Sequence, residues 1–252
     1  MKRLVVLTIT LMTFLVTSTF AWGSALQKDV VVVGTESTYP PYEFRDENND
    51  LKGFDIDLME AIADKAGFKI EWQDMPFDSL IPALISEKID IIAAGLSATP
   101  ERAERVAFSV PYEISLSTFI VKKGNDSIKT VEDLKGKTVT AQLGTVQETY
   151  SKGLEDVHVK AFQKFDDCVR EVALGRADAT LMDKPVALKF VKQKDFKGKV
   201  QIAFDQEITG AGKALAMNLE EEKLISAVNE TLEKMEQTGE LQKLKEKWFE
   251  IE

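Results

Sequence analysis

One feature constrains this chain more than any other: short apolar runs alternate with amphipathic stretches, and the pattern occurs twice. Residues 30–33 form a β-branched run ending at Gly34, after which Leu58, Met59, Ile62, Ala63 and Ala66 recur at helical spacing. Gly67 stands where such a helix needs a left-handed cap. Residues 68–72 read as the next strand. Phe77, Leu80, Ile81, Leu84 and Ile85 then fall at i, i+3, i+4, i+7 and i+8, an amphipathic helix that tolerates Pro82 in its early turns. Residues 89–94 read as a continuous apolar strand buried on both faces. The resulting βαβαβ unit implies a parallel sheet covered by helices.

The second occurrence runs from 137–142 (strand) through 145–152 (helix), 157–162 (strand) and 166–174 (helix, capped by Gly175) to 177–182 (strand). Two α/β lobes follow. Between and after them, 114–121 and 200–217 are extended segments that provide two crossings. The apolar positions Leu224, Ile225, Val228 and Leu232, then Leu241, Leu244 and Trp248, predict closing helices over 220–237 and 241–248. The expected division is a leader at 1–25, lobe 1 at 26–113, lobe 2 at 114–209, and a return to lobe 1 at 210–252, with hinges near 113–117 and 206–212.

The leader reading rests on Met1, Lys2 and Arg3, an apolar run over 4–16, and the small residues Gly23, Ser24 and Ala25. The run is too short to span a bilayer comfortably, so cleavage after Ala21 or Ala25 and release of the mature chain into the periplasm are expected. The single cysteine, Cys168, lies far from this point, which excludes a lipid anchor through an N-terminal cysteine. Its apolar helical neighbours make it a small core residue rather than a reactive thiol. With 32 basic and 42 acidic residues the chain carries a net charge of −10. Removing residues 1–25 takes two basic residues and no acid, leaving −12. Such a balance repels polyanions, so nucleic acid is not an expected partner.

The only histidine, His158, has no cluster of metal-ligating types around it, so no metal is expected. No nucleophile elbow, phosphate loop or dinucleotide fingerprint occurs, so no cofactor is expected either. The informative stretch is Gly95-Leu96-Ser97-Ala98-Thr99-Pro100-Glu101-Arg102, which leaves a buried strand and opens a helix with Thr99 as N-cap and Pro100 at its first position. Ligands in open α/β sheets sit at strand C-termini. Arg102 is either a receptor for a carboxylate there or a surface side chain paired with Glu101 or Glu104.

Several blocks carry a resemblance. They are Gly34-Thr35-Glu36-Ser37-Thr38-Tyr39-Pro40-Pro41-Tyr42-Glu43-Phe44, Gly53-Phe54-Asp55-Ile56-Asp57-Leu58, Phe77-Asp78-Ser79-Leu80, Thr99-Pro100-Glu101-Arg102, Gly144-Thr145-Val146-Gln147, Gly175-Arg176-Ala177-Asp178 and Lys247-Trp248-Phe249. Over almost all of the mature chain, and in order, the sequence resembles the polar amino-acid-binding proteins of bacterial ABC importers (solute-binding protein family 3). That resemblance implies a type II periplasmic-binding-protein fold in two hinged lobes, and a monomer without enzymatic activity. Its partners would be a free amino acid and the ABC importer permease of the inner membrane. Carried over by position, Arg102 grips the α-carboxylate with backbone N–H groups near Ser97 and Thr145. Gly95, Ser97 and Asp183 receive the α-ammonium, and Tyr39 and Phe77 sandwich the side chain. Two departures are Ala94, where many relatives have a hydroxyl, and Val146, where threonine is common.

Arginine is the favoured ligand. The block around Glu36 looks most like arginine-binding members, and a guanidinium can stack on Tyr39 and Phe77 while Glu36 and Gln142 accept its N–H groups. The alternatives are glutamine or another polar amino acid, and a periplasmic dehydratase on the same scaffold. For the dehydratase, Glu36 is the available acid.

Overall fold

The computed structural model describes residues 24–249. Two five-stranded sheets organise the chain. The first has the order Ile70–Asp74, Val31–Thr35, Ile91–Ile92, Ala216–Met217, Ala107–Phe108. The second has the order His158–Phe162, Thr138–Gln142, Ala179–Asp183, Ser117–Lys122, Val200–Gln206. In each sheet four strands share one direction and one is inverted: Ala216–Met217 in the first and Ser117–Lys122 in the second. The inverted strand is in each case the one by which the chain enters that sheet from the other, so the mostly parallel character expected of α/β units survives the crossings.

The helices follow the apolar periodicity closely. Phe54–Ala66 ends on Gly67 at φ 79° and Phe165–Leu174 on Gly175 at φ 74°, both left-handed caps as expected. Phe77–Ile85 contains Pro82 and buries Leu80, Ala83 and Leu84 against the first sheet. Cys168 is fully buried and burial pushes its thiol up, in keeping with a core role. The terminal helices Glu222–Gln237 and Glu240–Trp248 dock back on Phe54–Ala66, where Trp248 Nε1 and Lys247 Nζ both donate to Asp57 at 2.7 Å. Of the leader 1–25 only Ser24 and Ala25 lie within the described residues.

Two elements differ from expectation. Residues 89–94 form only the short ladder Ile91–Ile92, because Asp90 interrupts the apolar run. Its carboxylate accepts the Val32 N–H at 2.9 Å and pairs with Lys28 at 2.6 Å. A three-stranded antiparallel sheet, Thr38–Tyr39, Glu43–Arg45 and Leu51–Lys52, follows the first strand and was not anticipated, and a helix Lys184–Lys192 follows Asp183.

Candidate functional site

In both sheets the parallel strands end on one side, and the segments leaving those ends supply the polar side chains. Glu36 follows Val31–Thr35, Gly95 and Ser97 follow Ile91–Ile92, Gln142 closes Thr138–Gln142, and Asp183 closes Ala179–Asp183. Strand C-termini leave backbone groups unpaired and point consecutive loops into a shared crevice. There a narrow crevice is lined by Glu36, Tyr39, Phe77, Gly95, Ser97, Arg102, Gln142, Thr145 and Asp183. These are the nine residues expected from the sequence, brought together from both sheets. Glu43, Val146, Gln147, Phe165 and Lys213 complete the lining and were not among them.

Arg102 lines the crevice and bridges its two sides. Its helix, Pro100–Ala103, is one turn long, so the dipole penalty expected at a first turn is small. The guanidinium donates to Ser97 O at 2.9 Å and to Gly144 O at 3.0 Å above the Phe77 ring, with no hydrogen bond or ion pair to Glu101 or Glu104 among those the structure gives it. Burial lowers its pKa to about 10, which leaves it charged at neutral pH. Two carbonyls solvate this cation without neutralising it.

Gly144 makes that contact possible. Its φ of 80° suits glycine, and a Cβ would lie 2.9 Å from Asp78 Cβ, so any side chain there would push the two sheets' loops apart. Gly95, at φ 53°, turns the chain so that its N–H meets Asp55 Oδ2 at 2.7 Å.

Glu36 is 4% exposed. It accepts from Thr38 Oγ1 at 2.6 Å and from Gln142 Nε2 at 3.1 Å, the latter a contact between the two halves. Burial raises its pKa against the pull of those hydrogen bonds. Glu43 is buried with one oxygen unpartnered, and its carboxyl is pushed well up by burial and by Asp55. Tyr39 stacks on Phe165 at 4.8 Å, while Phe77 faces Arg102 rather than Tyr39.

Asp183 stands at the N-cap of Lys184–Lys192 but makes no side-chain cap. Its carboxylate instead accepts from Tyr39 OH at 2.7 Å and Gln147 Nε2 at 3.1 Å, and pairs with Lys213 Nζ at 2.5 Å. Lys213 also reaches Ser97 Oγ at 3.0 Å. A signal for it existed in the sequence: a lone cation heads the apolar run 214–217 just after Gly212.

Beneath the cavity, burial raises Asp55 to about 6 and Glu113 to about 7. The folded chain therefore keeps protons that the unfolded chain has released, and stability falls as pH rises from about 4 to 7. For Asp55, fully buried and normally near 3.8, that displacement corresponds to about 3 kcal/mol. Thermal unfolding of the ligand-free protein should give a lower Tm at pH 8 than at pH 5, with Glu113→Gln flattening the dependence. A Tm that climbs over this range would contradict the assignment.

The profile of the bacterial extracellular solute-binding proteins, family 3, matches residues 31–251. The arginine-binding extracellular protein ArtP of Bacillus subtilis (strain 168) is 39% identical over 230 residues, covering 90% of this chain and 89% of that protein. Among solved structures, an ancestral arginine-binding protein bound to arginine superposes with a TM-score of 0.84 at 44% identity, covering 88% of this chain and 99% of its own. An ancestral arginine-binding protein bound to glutamine gives 0.81 at 43% identity, covering 88% and 98%.

Proposed function

The chain belongs to family 3 of the bacterial extracellular solute-binding proteins, and on that premise we propose that it captures arginine for an ABC importer by closing two lobes around it. The observation that carries this reading is the arrangement of charge in the cavity. A cation held only by carbonyls, Arg102, sits at one end, and a buried carboxylate, Glu36, stands among aromatic rings elsewhere in the lining. An α-carboxylate on Arg102 and a guanidinium against Glu36, Gln142 and the ring of Tyr39 or Phe77 satisfy both. Glutamine satisfies only the first. The lobes are 26–113 with 210–252, and 114–209. Contacts such as Glu36 to Gln142 and Arg102 to Gly144 join them in a closed arrangement, which a ligand touching both sides favours.

The protein is a binder rather than an enzyme, in keeping with its family and with the binding proteins it resembles, and Glu36, the acid a dehydratase reading would use, is given to the guanidinium. Calorimetric titration with the twenty amino acids, followed by small-angle scattering, tests the whole reading. Arginine is expected to bind most tightly and to reduce the radius of gyration, and prephenate and arogenate to remain unconverted. Preference for glutamine, or an unchanged radius, counts against it.

The mature form is exported to the periplasm as a monomer and delivers its ligand to the inner-membrane permease. Ala25 is fully buried and its N–H meets Glu221 Oε1 at 2.9 Å, which favours cleavage after Ala21 over cleavage after Ala25. The mass of the exported chain checks this, and a mature N-terminus at Leu26 would overturn it.

A further inference from the structure

Resting on that reading of the pocket, we propose that Lys213 permanently fills the α-ammonium position. The protein therefore also accepts ω-guanidino carboxylic acids that lack an α-amino group. An amino acid's ammonium needs acceptors, and the resemblance assigns it Asp183 and Ser97. Both are already engaged: Lys213 Nζ lies 2.5 Å from Asp183 Oδ2 and 3.0 Å from Ser97 Oγ. Tyr39 OH donates to the same Asp183 oxygen and Gln147 Nε2 to the other, so the carboxylate is surrounded by donors.

Lys213 is not a surface side chain that has strayed inward. It is 4% exposed. Its backbone is pinned on both sides, the N–H donating to Glu113 O at 2.7 Å and the carbonyl accepting from Tyr112 N at 2.9 Å. It also forms bridges with Ser97 and Glu113. Buried residues 214–217 follow directly, which fixes the direction in which the side chain leaves the strand. A second ammonium placed at Asp183 would stand beside the first and share one carboxylate with it, a like-charge pair in a buried site. Displacing Lys213 would instead leave its own charge without a partner. Neither cost falls on a ligand with a carboxylate for Arg102, a guanidinium for Glu36, and plain methylene between them.

The test is calorimetry of the wild type with L-arginine and with 5-guanidinopentanoate, which is arginine without its amino group. In a site that used the ammonium, losing it would weaken binding by about 30- to 5,000-fold. Here the deaminated compound is expected to bind within about tenfold of arginine, or more tightly. Lys213→Met should reverse the order, weakening 5-guanidinopentanoate by about 30-fold or more while arginine, which brings its own ammonium, is spared. If the wild type binds arginine and the deaminated compound is more than about tenfold weaker, the inference fails and the arginine reading stands. Binding of 5-guanidinopentanoate with none of arginine upholds the inference and removes the arginine reading, whereas binding of neither removes both. The wild-type comparison decides even if the variant does not fold.

Discussion

Replacing Arg102 by alanine is expected to weaken every amino-acid ligand by about 30- to 5,000-fold, the range that follows when one partner of a buried, hydrogen-bonded charge pair is removed at 2–5 kcal/mol. The geometry accounts for a loss of that size. The guanidinium is held by Ser97 O and Gly144 O, which fix its position but leave a positive charge that only an anion neutralises. Its place over Phe77 further restricts the fork, so an incoming carboxylate meets donors already oriented. Arg102→Lys should recover little, because an ammonium cannot span the two carbonyls and a bidentate carboxylate together. The loss should be similar for arginine and for any neutral amino acid, since the α-carboxylate is common to all of them. Calorimetry on protein with an unchanged circular dichroism spectrum is the measurement. Retained affinity would return Arg102 to the role of a clasp between the halves.

Helices and strands of the two α/β units were legible because their signal is local. Leu58, Met59, Ile62 and Ala63 repeat within thirteen residues, and Gly67 and Gly175 mark where the repeats stop. The sheet of Thr38–Tyr39, Glu43–Arg45 and Leu51–Lys52 was not, because two- and three-residue strands show no periodicity and exist only through their pairing. Lys184–Lys192 carries a faint signal for a related reason: its buried side chains, Val186, Ala187 and Phe190, are few and set among lysines. Asp90 shows the opposite error, a charge overlooked within an apolar run because its partners Lys28 and Val32 lie some sixty residues away.

The cavity divides in the same way. Glu36, Ser97, Gln142 and Asp183 sit at the ends of recognisable strands, so topology alone brings them to one crevice. Lys213 belongs to a two-residue neighbourhood of bridges with Ser97 and Glu113, and its burial depends on Asp183, thirty residues earlier in the chain. Phe165 lies just ahead of the helix expected over 166–174, and nothing nearby in sequence reveals that its ring meets Tyr39. Sequence patterns thus located the side chains on the frame of the sheets, and left out those whose place depends on tertiary packing.

Glu36 is where ligand choice should be decided. Its carboxylate is 4% exposed and holds two donors, the hydroxyl of Thr38 and the amide of Gln142, neither of which carries charge. A buried carboxylate supported only by neutral donors is poorly compensated, and its raised pKa reports that deficit. A guanidinium supplies the missing charge and can stack on Tyr39 or Phe77 in the same movement, which a compact ammonium does less well. Arginine is therefore expected to bind more tightly than lysine. Glu36→Gln keeps the shape and can still accept from Thr38, but it removes the charge. It should weaken arginine by about 30- to 1,000-fold, the equivalent of 2–4 kcal/mol, while leaving glutamine within about threefold. Paired titrations of wild type and variant with both ligands read this out as a change in the arginine-to-glutamine ratio. Equal losses for the two would mean that Glu36 only shapes the local turn, and the source of specificity would then have to be sought at Glu43, a buried acid of the cavity that pairs with no cation among the described residues.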